Sequence, residues 1–256
     1  MPDYGDLKEL PRQGKALIVT DLHGNLDDFN KIREIWKDLS SKDNHLILTG
    51  DFIHPMDGDD GSLDILDAVQ ADCEKYENNF HPLLGNHEWA TILHISIYKG
   101  GINQTLKFEK LLKDKFGDAW RFKLDEYTNF FQKLPIAVKT DNEVFISHSG
   151  PSKGISSLND LRNMTEKGYL DNIPLYELLW NRYGDYSAKD VDDFLKIVGC
   201  RAMIVGHTPV EGYKLIGNQL IVSSSFSRGK KAYVELDLEK DIKNGHDLEK
   251  MVKYFQ

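Results

Sequence analysis

The stretch Ala16-Leu17-Ile18-Val19-Thr20-Asp21-Leu22-His23-Gly24-Asn25 joins a run of apolar residues to a cluster of polar ones. The apolar run predicts a buried β-strand, and Asp21 and His23 follow it directly. Because side chains two positions apart in extended backbone point to the same side, both can reach one point beyond the strand. The stretch therefore predicts a strand whose carboxyl end carries groups that bind hard metal ions or phosphate.

Four further apolar runs end in the same kind of side chain. They are residues 45–49 before Gly50-Asp51, 80–84 before Gly85-Asn86-His87-Glu88, 144–147 before His148, and 202–205 before Gly206-His207-Thr208. Open α/β sheets build their sites beyond the carboxyl ends of their strands. Together the five junctions supply the ligand inventory of a two-metal centre, in which a carboxylate can bridge two cations. The candidate metal ligands are Asp21, His23, Asp51, Asn86, His148 and His207.

Helical patterns separate the first three of these strands. Residues 26–40 place apolar side chains at helical spacing, and Asn25 is the predicted N-cap. A second helix is predicted after Gly61. The order strand, helix, strand, helix, strand predicts a βαβαβ unit with parallel pairing, and hence an α/β fold.

The rest of the chain divides into a helical block and a strand-rich half. Residues 88–134 are predicted to be a mostly helical insertion beside the site. The later predicted elements are a hairpin of 136–139 and 144–147, helices at 174–181 and 189–198, strands at 203–205, 220–223 and 232–238, and a helix-like tail at 240–256. Because the candidate ligands run from Asp21 to His207, we expect one domain over residues 1–256.

Composition limits the partners and the compartment. The chain has 256 residues and a net charge of −9, from 32 basic and 41 acidic residues, which disfavours nucleic acid and anionic membranes as partners. We expect no signal peptide in the first residues, and no apolar stretch approaches the roughly 20 residues that span a bilayer. We predict a cytoplasmic protein with Cys73 and Cys200 as buried free thiols, although a disulfide is also compatible with the sequence.

The spelling and order of Gly-Asp, Gly-Asn-His-Glu and Gly-His-Thr-Pro resembles the calcineurin-like metallophosphoesterases, and within them the phosphoprotein phosphatase branch. The resemblance implies a metallophosphatase β-sandwich flanked by helices in four layers. It also implies that one ion is held by Asp21, His23 and Asp51, and the other by Asp51, Asn86, His148 and His207. The residues alone lead to the same set but leave its division between ions open. Oxygen and nitrogen donors without thiolate favour two divalent ions, with Mn²⁺ as our prediction and Fe or Zn²⁺ as alternatives.

The resemblance also assigns roles to residues that are not ligands. It implies that His87 donates a proton to the leaving group and that Arg182, in Leu178-Leu179-Trp180-Asn181-Arg182, binds the phosphate. In the family, an Asp-Arg pair begins three residues after the aspartate that corresponds to Asp51. This chain has His54-Pro55 at those two positions. A histidine there can still hydrogen-bond His87, but it cannot raise the pKa of His87 as a carboxylate would.

These observations predict a dinuclear-metal-dependent phosphatase that hydrolyses phosphomonoesters, with phosphoserine and phosphothreonine in proteins as the expected substrates. Its partner would be a phosphorylated protein or a small phosphoester. One alternative is a dinucleoside polyphosphate hydrolase of the diadenosine tetraphosphate type, which base-stacking aromatic residues near the site would favour. A second alternative is a non-catalytic metal-binding scaffold. The sequence leaves the oligomeric state open.

Overall fold

The computed structural model describes residues 6–40, 43–55, 58–226 and 228–255. Its strands are β1 (Leu7–Leu10), β2 (Lys15–Val19), β3 (His45–Leu48), β4 (Phe80–Pro82), β5 (Tyr98–Lys99), β6 (Ile102–Asn103), β7 (Ala137–Thr140), β8 (Val144–Ser147), β9 (Ala202–Val205), β10 (Tyr213–Ile216), β11 (Gln219–Val222), β12 (Ala232–Asp237) and β13 (Val252–Tyr254). Its helices are α1 (Leu26–Leu39), α2 (Ser62–Tyr76), α3 (Asn86–Ile92), α4 (Gln104–Phe116), α5 (Trp120–Phe131), α6 (Leu158–Arg162), α7 (Ile173–Trp180), α8 (Ala188–Val198) and α9 (Gly245–Glu249).

The strands form two large sheets and one small hairpin. The five-stranded sheet has the order β13-β12-β2-β3-β4, and the six-stranded sheet has the order β1-β7-β8-β9-β11-β10. β5 and β6 form a two-stranded hairpin. Both large sheets contain parallel and antiparallel neighbours, so the two sheets are mixed.

The predicted βαβαβ unit is confirmed. β2 pairs in parallel with β3, and β3 with β4, while α1 and α2 make the crossovers. Asn25 caps α1 as expected, since its side chain accepts a hydrogen bond of 3.0 Å from the backbone N–H of Asp28. The predicted hairpin of β7 and β8 is also present, shifted by one residue in its first strand.

The two sheets pack against each other, and helices cover their outer faces. Alternate side chains along a strand therefore point into different cores. In β2, Leu17 and Val19 belong to the core that includes α1, whereas Ile18 belongs to the core between the two sheets with Ile204 of β9. On the far side, the rings of Phe145 in β8 and Phe194 in α8 are 5.0 Å apart. The predicted α/β sandwich flanked by helices is therefore confirmed.

The block at 88–134 is mostly helical but contains an unexpected hairpin. The Gly100-Gly101 pair forms the two-residue turn between β5 and β6. Both glycines have positive φ, 54° and 79°, which such tight hairpin turns require. Phe108 of α4 and Tyr127 of α5 join the same hydrophobic core as α1 and α2. This shared core is consistent with one domain, which remains a prediction.

The prediction of a helix-like tail at 240–256 is wrong for most of its described length. Only the five residues of α9 are α-helical, and β13 then adds to the edge of the five-stranded sheet by antiparallel pairing with β12. The pairing supplies hydrogen-bond partners to β12 and places Val252 opposite Val234, which outweighs the helical preference of the charged sequence. Gln256 lies outside the described residues.

Within the described ranges, every helix is too short or too polar to cross a bilayer.

Candidate metal centre

The six candidate ligands converge beyond the carboxyl ends of strands from both sheets. They follow their strands as the sequence predicted: Asp21 and His23 after β2, Asp51 after β3, Asn86 after β4, His148 after β8, and His207 after β9. Each is between 0% and 6% exposed. Burial of two carboxylates, three imidazoles and an amide in one place is costly unless they are paired or bind a cation.

The backbone at several of these positions is in an unusual conformation. Asp21, His23, Asp51 and His207 all have positive φ, between 43° and 60°. Residues with a Cβ rarely adopt this conformation, which costs on the order of 1–3 kcal/mol and tends to persist at functional sites. The donor atoms of Asp21, Asp51 and His207 lie together, and His23 Nε2 lies 3.5 Å from Asp51 Oδ2.

Glycines beside the ligands permit close approach of the backbone to the carboxylates. A Cβ on Gly206 would lie 2.1 Å from Asp21 Oδ2, and one on Gly85 would lie 2.4 Å from Asp51 Oδ1. Neither distance is compatible with any side chain. The glycines of Gly-His and Gly-Asn-His-Glu are therefore explained by the space that the two carboxylates occupy.

Asp51 belongs to two groups of donor atoms. One group contains Asp21, Asp51, His148 and His207, and the other contains His23, Asp51 and His87; within each, the donor atoms lie within 4.8 Å of one another. Asp51 Oδ2 is 3.5 Å from His23 Nε2 and 3.7 Å from His148 Nε2. Two atoms that bind one ion at about 2.1 Å lie roughly 3.0–3.4 Å apart, so these spacings are close to those of coordination shells.

Asp21 lies closer to the second set of histidines than the resemblance implies. Its Oδ2 accepts a hydrogen bond of 2.9 Å from the backbone N–H of His207, and its carboxylate groups with His148 and His207. The geometry therefore brings together all six predicted ligands, while their division between two ions remains a prediction.

The side-chain oxygen of Asn86 faces other atoms that carry lone pairs. It lies 2.9 Å from His148 Nε2, and the same atom is 3.0 Å from Asp51 Oδ2. Exchanging the amide oxygen and nitrogen would turn these contacts into hydrogen bonds, whereas a cation would be coordinated by the oxygen as it stands. The donor set thus fits divalent cations bound by oxygen and nitrogen.

Backbone carbonyls fix the orientation of two of the imidazoles. His23 Nδ1 lies 3.2 Å from the carbonyl oxygen of Ile53, and His148 Nδ1 lies 2.9 Å from that of Thr49. When each Nδ1–H donates to its carbonyl, the Nε2 lone pair faces Asp51 Oδ2. Such partners orient metal-binding histidines and hold them in the neutral form that ligation needs.

Burial shifts the pKa values of this cluster toward uncharged forms. It raises the pKa of Asp21 to about 6 and raises that of Asp51, against the opposing charges of Lys99 and Arg182. Burial also lowers the pKa of His23 and of His207 well below the usual value. Neutral imidazoles suit metal ligation, and a bound cation would restore the charge of both carboxylates.

His87 lies at the edge of the cluster and touches His54. Its Nε2 is 3.9 Å from Asp51 Oδ2, and its backbone N–H donates to Asp51 Oδ1 at 3.0 Å. On the other side of the ring, His87 Nδ1 lies 2.8 Å from His54 Nδ1. Burial lowers the pKa of His54 to about 3 and that of His87 well below its usual value. His54 therefore occupies the position from which a hydrogen bond to His87 was expected.

Arg182 follows α7 and is exposed beside the cluster. The pKa of His207 is lowered mainly by burial, and the positive charge of Arg182 lowers it further. The same charge acts against the burial that raises the pKa of Asp51. The ring of Trp180, two residues earlier, lies 6.0 Å from that of His207. The chain thus brings Arg182 within electrostatic range of the ligands.

Glu88 is a site residue to which the sequence analysis gave no role. It is fully buried, and its carboxylate accepts hydrogen bonds from the backbone N–H groups of Asp51 (2.8 Å), Phe52 (2.9 Å) and Gly85 (3.2 Å). Burial, together with the charge of Asp51, raises its pKa. The signal was present, since a glutamate at the third position of a helix often caps it.

Lys99 is the second residue that the sequence analysis missed. It lies on the β5–β6 hairpin, and its Nζ is 3.0 Å from His23 Nδ1. Burial lowers its pKa to about 8, while the charges of Asp51 and Asp21 oppose the shift. No local pattern marks this lysine, because its position depends on how the hairpin packs against the site.

Two packed sheets with metal-binding side chains clustered at their strand ends form the architecture of a metallophosphoesterase. The family model of the calcineurin-like phosphoesterases matches residues 14–211 of the chain. That range includes every candidate ligand, His87 and Arg182. The chain belongs to the calcineurin-like phosphoesterase family.

Individual relatives carry the names of protein phosphatases. A serine/threonine-protein phosphatase of Caenorhabditis elegans is 24% identical over 226 residues, which cover 82% of this chain and 46% of that protein. The match therefore spans less than half of the relative's length. This similarity supports the phosphoprotein phosphatase branch that the motifs suggested.

Two solved structures share the fold. A protein serine/threonine phosphatase from Saccharomyces cerevisiae superposes with a TM-score of 0.72 at 20% identity, covering 98% of this chain and 84% of the other. A cold-active protein-tyrosine phosphatase of a Shewanella species gives a TM-score of 0.65 at 16% identity, covering 100% and 83%. At these identities the comparison establishes the architecture.

Proposed function

We propose that this protein is a dinuclear-metal-dependent phosphatase that hydrolyses phosphomonoesters, with phosphoserine and phosphothreonine in proteins as its substrates. The observation that carries the proposal is the position of Asp51 between two groups of donor atoms. Membership of the calcineurin-like phosphoesterases and similarity to a serine/threonine-protein phosphatase support the chemistry and the substrate class.

We assign the metal ligands as Asp21, His23, Asp51, Asn86, His148 and His207, on one domain that spans the chain. When bound, two divalent cations supply activation of water and neutralisation of phosphoryl charge. The donors combine carboxylate and amide oxygens with imidazoles and include no thiolate, so we propose Mn²⁺, with Fe and Zn²⁺ as the competing ions. Metal analysis of the purified protein distinguishes these ions.

The chain's own residues bind and orient the substrate. Arg182 offers a guanidinium that can donate two parallel hydrogen bonds to phosphoryl oxygens. His87 directs Nε2 toward the cluster, where a proton can pass to the leaving alkoxide. His54 holds the opposite edge of that ring. Glu88 fixes the Asp51 loop through hydrogen bonds from the backbone N–H groups of Asp51 and Phe52, so that the Asp51 carboxylate keeps its position between the two donor groups.

A group of aromatic side chains gives a second candidate function, hydrolysis of dinucleoside polyphosphates. Tyr176 is 49% exposed and stacks on Trp180, with ring centroids 5.9 Å apart. Trp180 in turn lies against His207. An exposed ring beside a phosphate site can stack on a nucleobase, which a phosphopeptide does not require.

One substrate panel tests both candidates. The metal-stripped protein is reloaded with Mn²⁺ and assayed with a chromogenic aryl phosphate, phosphoserine, phosphothreonine and phosphotyrosine peptides, and diadenosine tetraphosphate. The proposal expects the highest kcat/KM for the phosphoserine and phosphothreonine peptides. Selective cleavage of the dinucleotide would establish the second candidate instead. No hydrolysis with any divalent ion would leave the non-catalytic scaffold.

A further inference from the structure

We propose that Lys99 binds the phosphoryl group of the substrate, donating hydrogen bonds to non-bridging oxygens of a phosphomonoester dianion and of the inorganic phosphate product. This inference rests on the proposed phosphatase function and adds a binding residue to it. Lys99 lies outside every motif that the sequence analysis used, on a hairpin between α3 and α4.

The hairpin directs the Lys99 side chain into the site. Lys99 is the last residue before the Gly100-Gly101 turn and pairs with Ile102. Since neighbouring side chains in a strand point to opposite sides, Tyr98 faces solvent, with 64% exposure, while Lys99 faces the ligands. Hydrogen bonds at the base hold the hairpin in place: Gln104 N–H donates to the Ile97 carbonyl at 2.8 Å.

The ammonium of Lys99 sits among groups that leave its charge available to an anion. It donates a hydrogen bond of 3.2 Å to the carbonyl oxygen of His54 and lies 5.5 Å from the centre of the Phe226 ring. His23 Nδ1, 3.0 Å away, also faces the carbonyl of Ile53. Among the described residues no salt bridge joins Lys99 to a carboxylate, although the charges of Asp51 and Asp21 act on it. An ammonium has three N–H donors, so one such bond leaves others for phosphate.

The positive charges of Lys99 and Arg182 approach the ligand cluster from two sides, which suits a phosphate dianion bound between them. Pro55, one residue beyond His54, brings no charge to this part of the site. Arg182 approaches the cluster from the end of α7, and Lys99 approaches from the hairpin beside His23. Two cationic side chains on one cluster of metal ligands favour the two negative charges of a phosphomonoester over the single charge of a diester.

Another interpretation is that Lys99 only balances the charge of Asp21 and Asp51. Bound cations would supply that balance themselves, so under this interpretation Lys99 would contribute nothing to anion binding in the metal-loaded protein. The two interpretations therefore differ in how removal of the ammonium affects the affinity for phosphate.

The test measures inorganic phosphate binding to the Mn²⁺-loaded protein by calorimetry, together with metal content. Lys99→Gln and Lys99→Met are expected to weaken phosphate binding by roughly 10- to 100-fold, the usual loss for a charge-assisted hydrogen bond, with metal content unchanged. Lys99→Arg should stay within a few-fold of the unmodified protein. Lys107→Gln, which removes an exposed lysine of α4 beyond the hairpin, is the matched control and should bind phosphate normally.

Unchanged phosphate affinity in Lys99→Gln and Lys99→Met would overturn the inference, and so would loss of metal together with phosphate. Thermal unfolding of each variant shows whether it is folded, and the methionine variant keeps the aliphatic stem that packs in the site. Failure of the proposed function is separate, because it appears in the unmodified protein as an absence of hydrolysis.

Discussion

The Nδ1 atoms of His54 and His87 lie 2.8 Å apart, at the edge of the ligand cluster. In this contact one neutral imidazole donates a proton and the other accepts it, so the two rings are coupled. The Nε2 atom of His87 faces Asp51 from the other side of its ring. Any proton that His87 passes to a leaving group is therefore controlled in part by His54.

Replacing His87 by asparagine should affect substrates according to their leaving groups. An alkoxide from phosphoserine needs a proton as it leaves, whereas an aryl oxide such as nitrophenolate does not. We expect His87→Asn to lower kcat about 100-fold or more for a phosphoserine peptide and much less for nitrophenyl phosphate. Steady-state kinetics with both substrates and metal analysis check this. An equal loss for both, with metals retained, would remove His87 as the proton donor.

Replacing His54 by aspartate should raise the pKa of His87. A carboxylate stabilises the protonated imidazole, whereas burial and the charge of Lys99 now lower the pKa of His87. The alkaline limb of kcat/KM against pH, measured with a phosphoserine peptide, should therefore move to higher pH. His54→Asn is the control, because it can hydrogen-bond without adding charge. If both variants shifted alike, the charge of position 54 would not act on His87.

Adding one methyl group at Gly206 should disrupt the metal centre. The new Cβ would lie 2.1 Å from Asp21 Oδ2, so the carboxylate or the His207 loop must move. We expect Gly206→Ala to lose metal affinity and activity together. Gly168→Ala is the control: its positive φ makes the substitution strained, but no atom lies within 4 Å of the added Cβ. Normal metal content in Gly206→Ala would contradict the geometry given for this loop.

The two cysteines should resist modification in the folded protein. Burial raises the pKa of Cys73 and of Cys200 to about 12, compared with about 8.5 for a free thiol. Unfolded thiols ionise first as the pH rises, so this contribution to stability is present below about pH 8.5 and is lost toward pH 12. Titration with a disulfide reagent at pH 8 should detect no rapidly reacting thiol, and two after unfolding. Rapid native reaction would contradict the burial.

The sequence could predict that the candidate ligands lie together because each one follows a strand. Asp21 and His23 are adjacent to β2, so a local pattern and a general rule about sheets sufficed. Lys99 could not be found in that way, since its contact with His23 requires the hairpin to be packed on the site. The β13 strand was missed for a similar reason, because its hydrogen bonds come from β12 and not from neighbouring residues.

The division of ligands between ions shows the same limit. The sequence alone left it open, and the side chain of Asp21 turned out to lie beside His207. Both residues have positive φ, and the backbone N–H of His207 donates to the Asp21 carboxylate. Such conformations depend on the tertiary structure that stabilises them.

The central claim is that Asp51 is shared by two ions, and metal stoichiometry tests it most directly. The stripped protein and its variants are reloaded with Mn²⁺, separated from free metal, and analysed for ions per chain. The account predicts two ions for the unmodified protein, one for His23→Ala, whose side chain belongs to one donor group, and none for Asp51→Ala. An unmodified protein that binds no ion, or an Asp51→Ala variant that keeps two, would contradict it.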